Sequence, residues 1–209
     1  MKKFPLLALM GVASIGFALS ACSTPDTPAL TAAAVAPKDG GLAMPAHYTR
    51  WPAFRLDVQK KDAKQIRDIY INAIGTKARA GGAFPDGTQF VMEIHSVKLN
   101  PDGTPMLDAS GKMTKDKLSK VFLMAKGPGW GDSAPAALKN GDWIYTAFEG
   151  NGTRAGADQS SCRACHLPLA DKDFVFHYDA YFKQRAGLEV APLARLAYAD
   201  VLAAAHRGF

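Results

Sequence analysis

Between Val58 and Lys77, apolar positions recur at three- and four-residue spacing: Ala63, Ile66, Ile69, Tyr70, Ala73 and Ile74, with Lys and Arg in the gaps. A repeat near 3.6 residues predicts an amphipathic helix ending near Gly75. Gly81-Gly82 and the Phe84-Pro85-Asp86-Gly87 turn then break the chain. From Thr88 to Leu99 the period changes to two, with Phe90, Met92 and Ile94 on one face and Glu93 and His95 on the other. That alternation predicts a strand. Asn100-Pro101-Asp102-Gly103 is a turn signal, and the chain stays polar to Lys117. Leu118 to Lys126 and Asp142 to Phe148 are β-branched and aromatic, hence further strands, separated by a Gly/Pro-punctuated loop. Leu188 to His206 reads as an Ala/Leu helix. Sequential strands with short connections predict an α+β fold, an antiparallel β-sheet flanked by helices.

The N-terminus has a different pattern. Lys2 and Lys3 precede an apolar run from Leu6 to Leu19, and small residues lead to Cys22. A run this short with a cationic start is expected to be an export signal rather than a spanning helix. Leu19-Ser20-Ala21-Cys22 resembles the lipobox of bacterial lipoproteins, which implies cleavage before Cys22 and acylation there. Several acyl chains would give lasting membrane attachment. Ser23 resembles the signals that pass such proteins to the outer membrane, so the expected location is the periplasmic side of a Gram-negative envelope. Ser23 to about Pro45 is rich in Pro, Ala, Thr and Gly and reads as a tether. The expected organisation is a signal over 1–21, a flexible tether over 22–46 and one folded domain over 47–209.

Charge narrows the partners. Of 25 basic residues, Lys2 and Lys3 would leave with the signal, so the excess over 19 acidic residues falls to about +4. The basic residues are scattered, which argues against a nucleic-acid partner. A hydrophobic content of 48% is that of a chain with a real core.

There are 3 cysteines. With Cys22 assigned to lipid, no pair remains for a structural disulfide outside Cys162-Arg163-Ala164-Cys165-His166. Two thiols three positions apart can add to the two vinyl groups of one haem, and the adjacent histidine can reach its iron. A thioredoxin-type dithiol needs no such histidine and usually sits by a βαβ unit. A zinc site needs a further ligand at suitable spacing. The motif therefore predicts one covalent haem c on Cys162 and Cys165, ligated by His166 and attached near the C-terminal end of the domain. All 7 methionines, from Met1 to Met124, lie upstream of the motif. An upstream Met, or His47, His95, His177 or His206, remains open as a second axial ligand. The favoured reading is a pentacoordinate iron with His166 as its only protein ligand.

In order along the chain, Ile66-Arg67-Asp68-Ile69-Tyr70, Phe84-Pro85-Asp86-Gly87-Thr88, Val91-Met92-Glu93 and Val121-Phe122-Leu123-Met124 resemble the cytochrome P-460 family, which includes the β-sheet form of cytochrome c′. Asp142-Trp143-Ile144-Tyr145, the haem motif and Asp173-Phe174-Val175-Phe176 complete the likeness, which runs from about Trp51 to Phe182. The resemblance implies haem at one face of a sheet, a pentacoordinate iron and frequent homodimers. It also implies two activities: hydroxylamine oxidation with a haem cross-linked to lysine, and nitric oxide binding in a hydrophobic pocket. In that alignment the place of the cross-linking lysine is taken by Met92. Strand parity puts Met92 with Phe90 and Ile94 as pocket candidates and turns Glu93 away. Lys98 lies on the other parity, and Lys120 and Lys126 read as solvated.

Three functions follow as expectations. The first is a haem protein that binds a small nitrogen-containing ligand such as nitric oxide. The second is an oxidoreductase acting on hydroxylamine or a related compound, and the third is a periplasmic electron-transfer cytochrome with a protein partner. Phe54, Phe90, Trp143, Tyr145 and Phe148 are candidates for the residue over the haem's free face.

Overall fold

A computed structural model of the chain describes residues 36–188 except 157. Six antiparallel strands follow one another in sequence order across a single sheet. They are β1 (Ala53–Lys60), β2 (Gln65–Ile71), β3 (Gln89–Val97), β4 (Lys115–Lys126), β5 (Trp143–Glu149) and β6 (Arg154–Ala155). Short 3-10 turns punctuate the connections. Helix α1 spans Ser160–His166, and residues 178–188 are helical. Among the described residues the fold is thus mostly β, an antiparallel sheet accompanied by short helices. Among the described residues no helix is long and apolar enough to cross a membrane.

The helix expected over Val58 to Lys77 is instead the β1–β2 hairpin, turning at Lys61-Asp62-Ala63-Lys64. The reason lies in burial. β2 covers both of its faces, so Ile66, Asp68, Ile69 and Ile71 are all buried and period-two alternation is erased. With both faces covered, Ile66 and Ile69 fall three positions apart across Arg67-Asp68, which mimics helical spacing. The contiguous Ile69-Tyr70-Ile71 was the β-branched and aromatic signal for a strand. β1 is the edge strand, bent by two register shifts against β2. The strands expected at Thr88–Leu99, Leu118–Lys126 and Asp142–Phe148 correspond to β3, β4 and β5. The expected helix from Leu188 onward lies, apart from Leu188, outside the described residues.

Parity distributes the side chains to two faces. Phe90 pairs with Met124, which pairs with Tyr145. These join Phe54, Phe84, Trp143, Tyr178 and Phe182 in one aromatic core beneath the helices. On the other face Val91, Leu123, Val121 and Phe148 form a second cluster, packed under Leu42, Met44, Tyr48 and Trp51. Leu42 and Met44, in the stretch read as a tether, thus pack against the sheet. Gly40 donates its N–H to the Tyr145 carbonyl at 2.7 Å and Leu42 to the Thr146 hydroxyl at 3.1 Å. Without this segment the apolar second face would meet water.

Candidate functional site

On α1, residues 162, 165 and 166 stand at i, i+3 and i+4 and so share one face. Cys162, Cys165 and His166 all line one cavity of 610 Å³ between the helix and the sheet. The two thiols are free rather than joined. Arg163 points the other way and is 1% exposed. Its guanidinium holds the Asp39 carboxylate, with Nε at 2.5 Å and Nη2 at 3.1 Å, and donates to the Trp143 carbonyl at 3.1 Å. Asn140 donates to the Arg163 carbonyl at 3.3 Å. A buried ion pair of this kind adds little net stability against an apolar substitute, but breaking it strands a charge. Its structural effect here is to fix α1 against β5 and against the N-terminal segment.

His166 is oriented by a backbone carbonyl. Its Nδ1 lies 2.6 Å from the Phe174 oxygen, which can only accept, so Nδ1 carries the proton and Nε2 the lone pair. This is the tautomer that a metal-ligating histidine needs. Burial holds the imidazole below its ordinary pKa, partly opposed by the Phe174 carbonyl. The rings of Tyr145 and Phe176 flank it at 5.2 and 4.9 Å. The carbonyl comes from a contorted loop in which Asp173, Phe174 and His177 all have positive φ. Such conformations cost about 1–3 kcal/mol each and need support. Asp173 supplies it, accepting the Phe84 N–H at 2.7 Å and the Lys126 ammonium at 3.0 Å. Lys126, expected to be solvated, is largely buried in this pair.

The sheet side of the cavity is formed by Ile69, Phe90, Met92, Ile94 and Phe122. The three pocket candidates Phe90, Met92 and Ile94 thus lie together there. Of the candidates for the free face, Phe54, Phe90 and Tyr145 line the cavity, whereas Trp143 is core and Phe148 lies on the second face. His177 lines the cavity; His95 does not. His206 and Cys22 lie outside the described residues. Lys60, Asp62 and Arg67 also line the cavity, at its β1–β2 end. Reading that stretch as a helix hid them. Read as a strand, Arg67 shares parity with Ile69 and would have been found.

Glu93 and His95 sit on the second face with Asp68, and their ligand atoms lie within 4.8 Å of one another. Their oxygens are already engaged. Tyr48 donates to Glu93 at 2.9 Å, His95 lies 3.1 Å from Glu93, and Asp68 takes the Asp57 N–H at 2.9 Å and the Lys115 ammonium. This is a self-satisfied network.

A motif helix with two free thiols and a correctly protonated histidine, facing an apolar sheet wall, fits a haem. These features define a haem-binding cytochrome built on an antiparallel sheet. Residues 45–177 match the family model described as cytochrome P460, and the chain belongs to that family. A search of curated proteins finds no match.

Proposed function

We propose that the chain is an exported c-type cytochrome, with one haem attached through Cys162 and Cys165 and His166 as the only protein ligand to iron. Its other haem face binds a small nitrogen-containing ligand such as nitric oxide. The observation that carries this reading is the apolar wall of Ile69, Phe90, Met92, Ile94 and Phe122 across the cavity from the motif. When bound, the haem supplies an iron that takes up a diatomic ligand and exchanges one electron. The protein's own residues do the rest. Phe174 and Asp173 hold His166 in its ligating tautomer, the wall excludes water and anions, and Met92 supplies polarizable bulk. Cys22 is proposed to carry the lipid anchor that holds the domain at the periplasmic face of the outer membrane.

A second reading, oxidation of hydroxylamine, draws support from the family and from Lys60, a cavity-lining lysine. Absorption spectra of the holoprotein in both oxidation states, before and after nitric oxide, separate the readings. A high-spin spectrum with an ordinary Soret band that changes on nitric oxide addition supports the first. A ferrous Soret band strongly shifted to the red would indicate a cross-linked macrocycle and favour the second. A low-spin spectrum indifferent to nitric oxide would sink both and leave an electron carrier with a second axial ligand.

A further inference from the structure

The β1–β2 end of the cavity carries more cations than acids, with Lys60, Arg67 and His177 set against Asp62. Arg67 lines the cavity, and its Nε is buried without a hydrogen-bond partner. The Nε of Arg55 is in the same condition. Their remaining contacts are neutral: Arg67 donates to the Gln65 side-chain oxygen at 3.1 Å and Arg55 to that of Gln184 at 3.3 Å. Among the described residues neither guanidinium meets a carboxylate. Lys60 and His177 line the same cavity, and the acid there, Asp62, lies 3.8 Å from Lys60 in an exposed pair. Arg55, Arg67 and Lys60 are all close enough to His177 to help burial push its imidazole pKa down. A buried donor without a partner costs about 1–3 kcal/mol, and two on adjacent strands call for an explanation.

We propose that Arg67, Lys60 and His177 at the β1–β2 end of the cavity, backed by Arg55 on the adjacent strand, form a carboxylate-binding site, and that the propionates of the haem occupy it. This rests on the proposed haem site. The geometry of a haem supports it, because its vinyl groups and its propionates lie on opposite edges of the macrocycle. Cys162, which takes a vinyl, packs against the aromatic core that includes Tyr145 of β5. Arg67 is on β2, three strands away in the sheet. Three spacings of about 4.8 Å put these ends roughly 14 Å apart, a span suited to a macrocycle with its propionates extended. Guanidinium groups match carboxylates in shape as well as charge. The site would therefore set which edge of the haem turns inward and would favour the ferrous state electrostatically.

The test uses the full-length holoprotein and its Arg67→Gln, Arg55→Gln and Arg67→Lys variants. Covalent haem is counted first; a wild type without it would defeat the haem reading and this inference with it. The ferric/ferrous midpoint potential is then measured, with and without sodium acetate at constant ionic strength. With propionates in the site, Arg67→Gln lowers the midpoint by about 59 mV, a tenfold shift in the one-electron equilibrium. Arg55→Gln then lowers it less, Arg67→Lys restores most of it, and acetate has no effect. A saturable acetate effect in the wild type, lost in Arg67→Gln, would keep the carboxylate site but overturn its assignment to the propionates. Midpoints unchanged in both glutamine variants, with full haem content and no acetate effect, would overturn the inference alone.

Discussion

The two faces of the sheet differ in how they satisfy what they bury. On the face over Val91 and Leu123, apolar residues are sealed by the N-terminal segment, and Asp68, Glu93 and His95 are engaged with one another, with Tyr48 and with Lys115. On the face over Phe90 and Met92, packing stops at a cavity of 610 Å³, and two arginine Nε atoms lack partners. One strand, β3, supplies both faces with alternate residues, so Met92 and Glu93 are neighbours in sequence and belong to different environments. A closed face is a structural solution. An open face with unmatched donors is one prepared for something else.

Several substitutions test that contrast, and the largest effect is expected on the open face. Replacing Cys162 and Cys165 together by Ala should abolish covalent haem, read by haem staining after denaturing electrophoresis. Next comes the clamp beneath the motif. Arg163→Ala should cost about 3–5 kcal/mol in denaturant unfolding, because Asp39 would lose the charge that holds it. A loss under 1 kcal/mol would mean that the pair is not needed to seat α1. On the closed face, Glu93→Gln should cost only about 1 kcal/mol and leave nitric oxide affinity unchanged. A tenfold change in that affinity would place Glu93 in communication with the cavity and dissolve the contrast.

The smallest effect concerns His177 and pH. Burial, then Arg55, Arg67 and Lys60, hold its pKa below the ordinary value. As pH falls through the ordinary histidine range, near 6.5, the unfolded chain takes up this proton before the folded one. Stability therefore falls toward acid. His177→Gln should flatten that part of the stability profile between about pH 7.5 and 5 by less than 1 kcal/mol, measured as the difference from wild type in urea.

The motif and the face of β3 were legible in sequence because each depends on local spacing: three positions between thiols, two between strand residues. The β1–β2 hairpin was not, since burial on both sides of β2 removed the alternation that distinguishes strands. With it went Arg67 and Lys60, read as the polar side of a helix. Asp39 was hidden for another reason. Its partner Arg163 is 124 positions away, and nothing in a Pro/Ala/Gly-rich segment marks one aspartate as the counter-ion of a buried arginine. The proton on His166 was equally invisible, because it depends on the Phe174 carbonyl in a loop of unusual backbone conformation.

That long reach from residue 39 to residue 163 also orders events in time. The sheet is a meander whose strands pair only with their sequence neighbours, and such local contacts form quickly. Closing a loop of this length carries a larger entropic cost that must be met before the contact is rewarded. The sheet is therefore expected to form before α1 docks on it, because its contacts are the less costly to close. The Asp39–Arg163 clasp is then expected among the later contacts, drawing residue 39 and the motif helix together against β5.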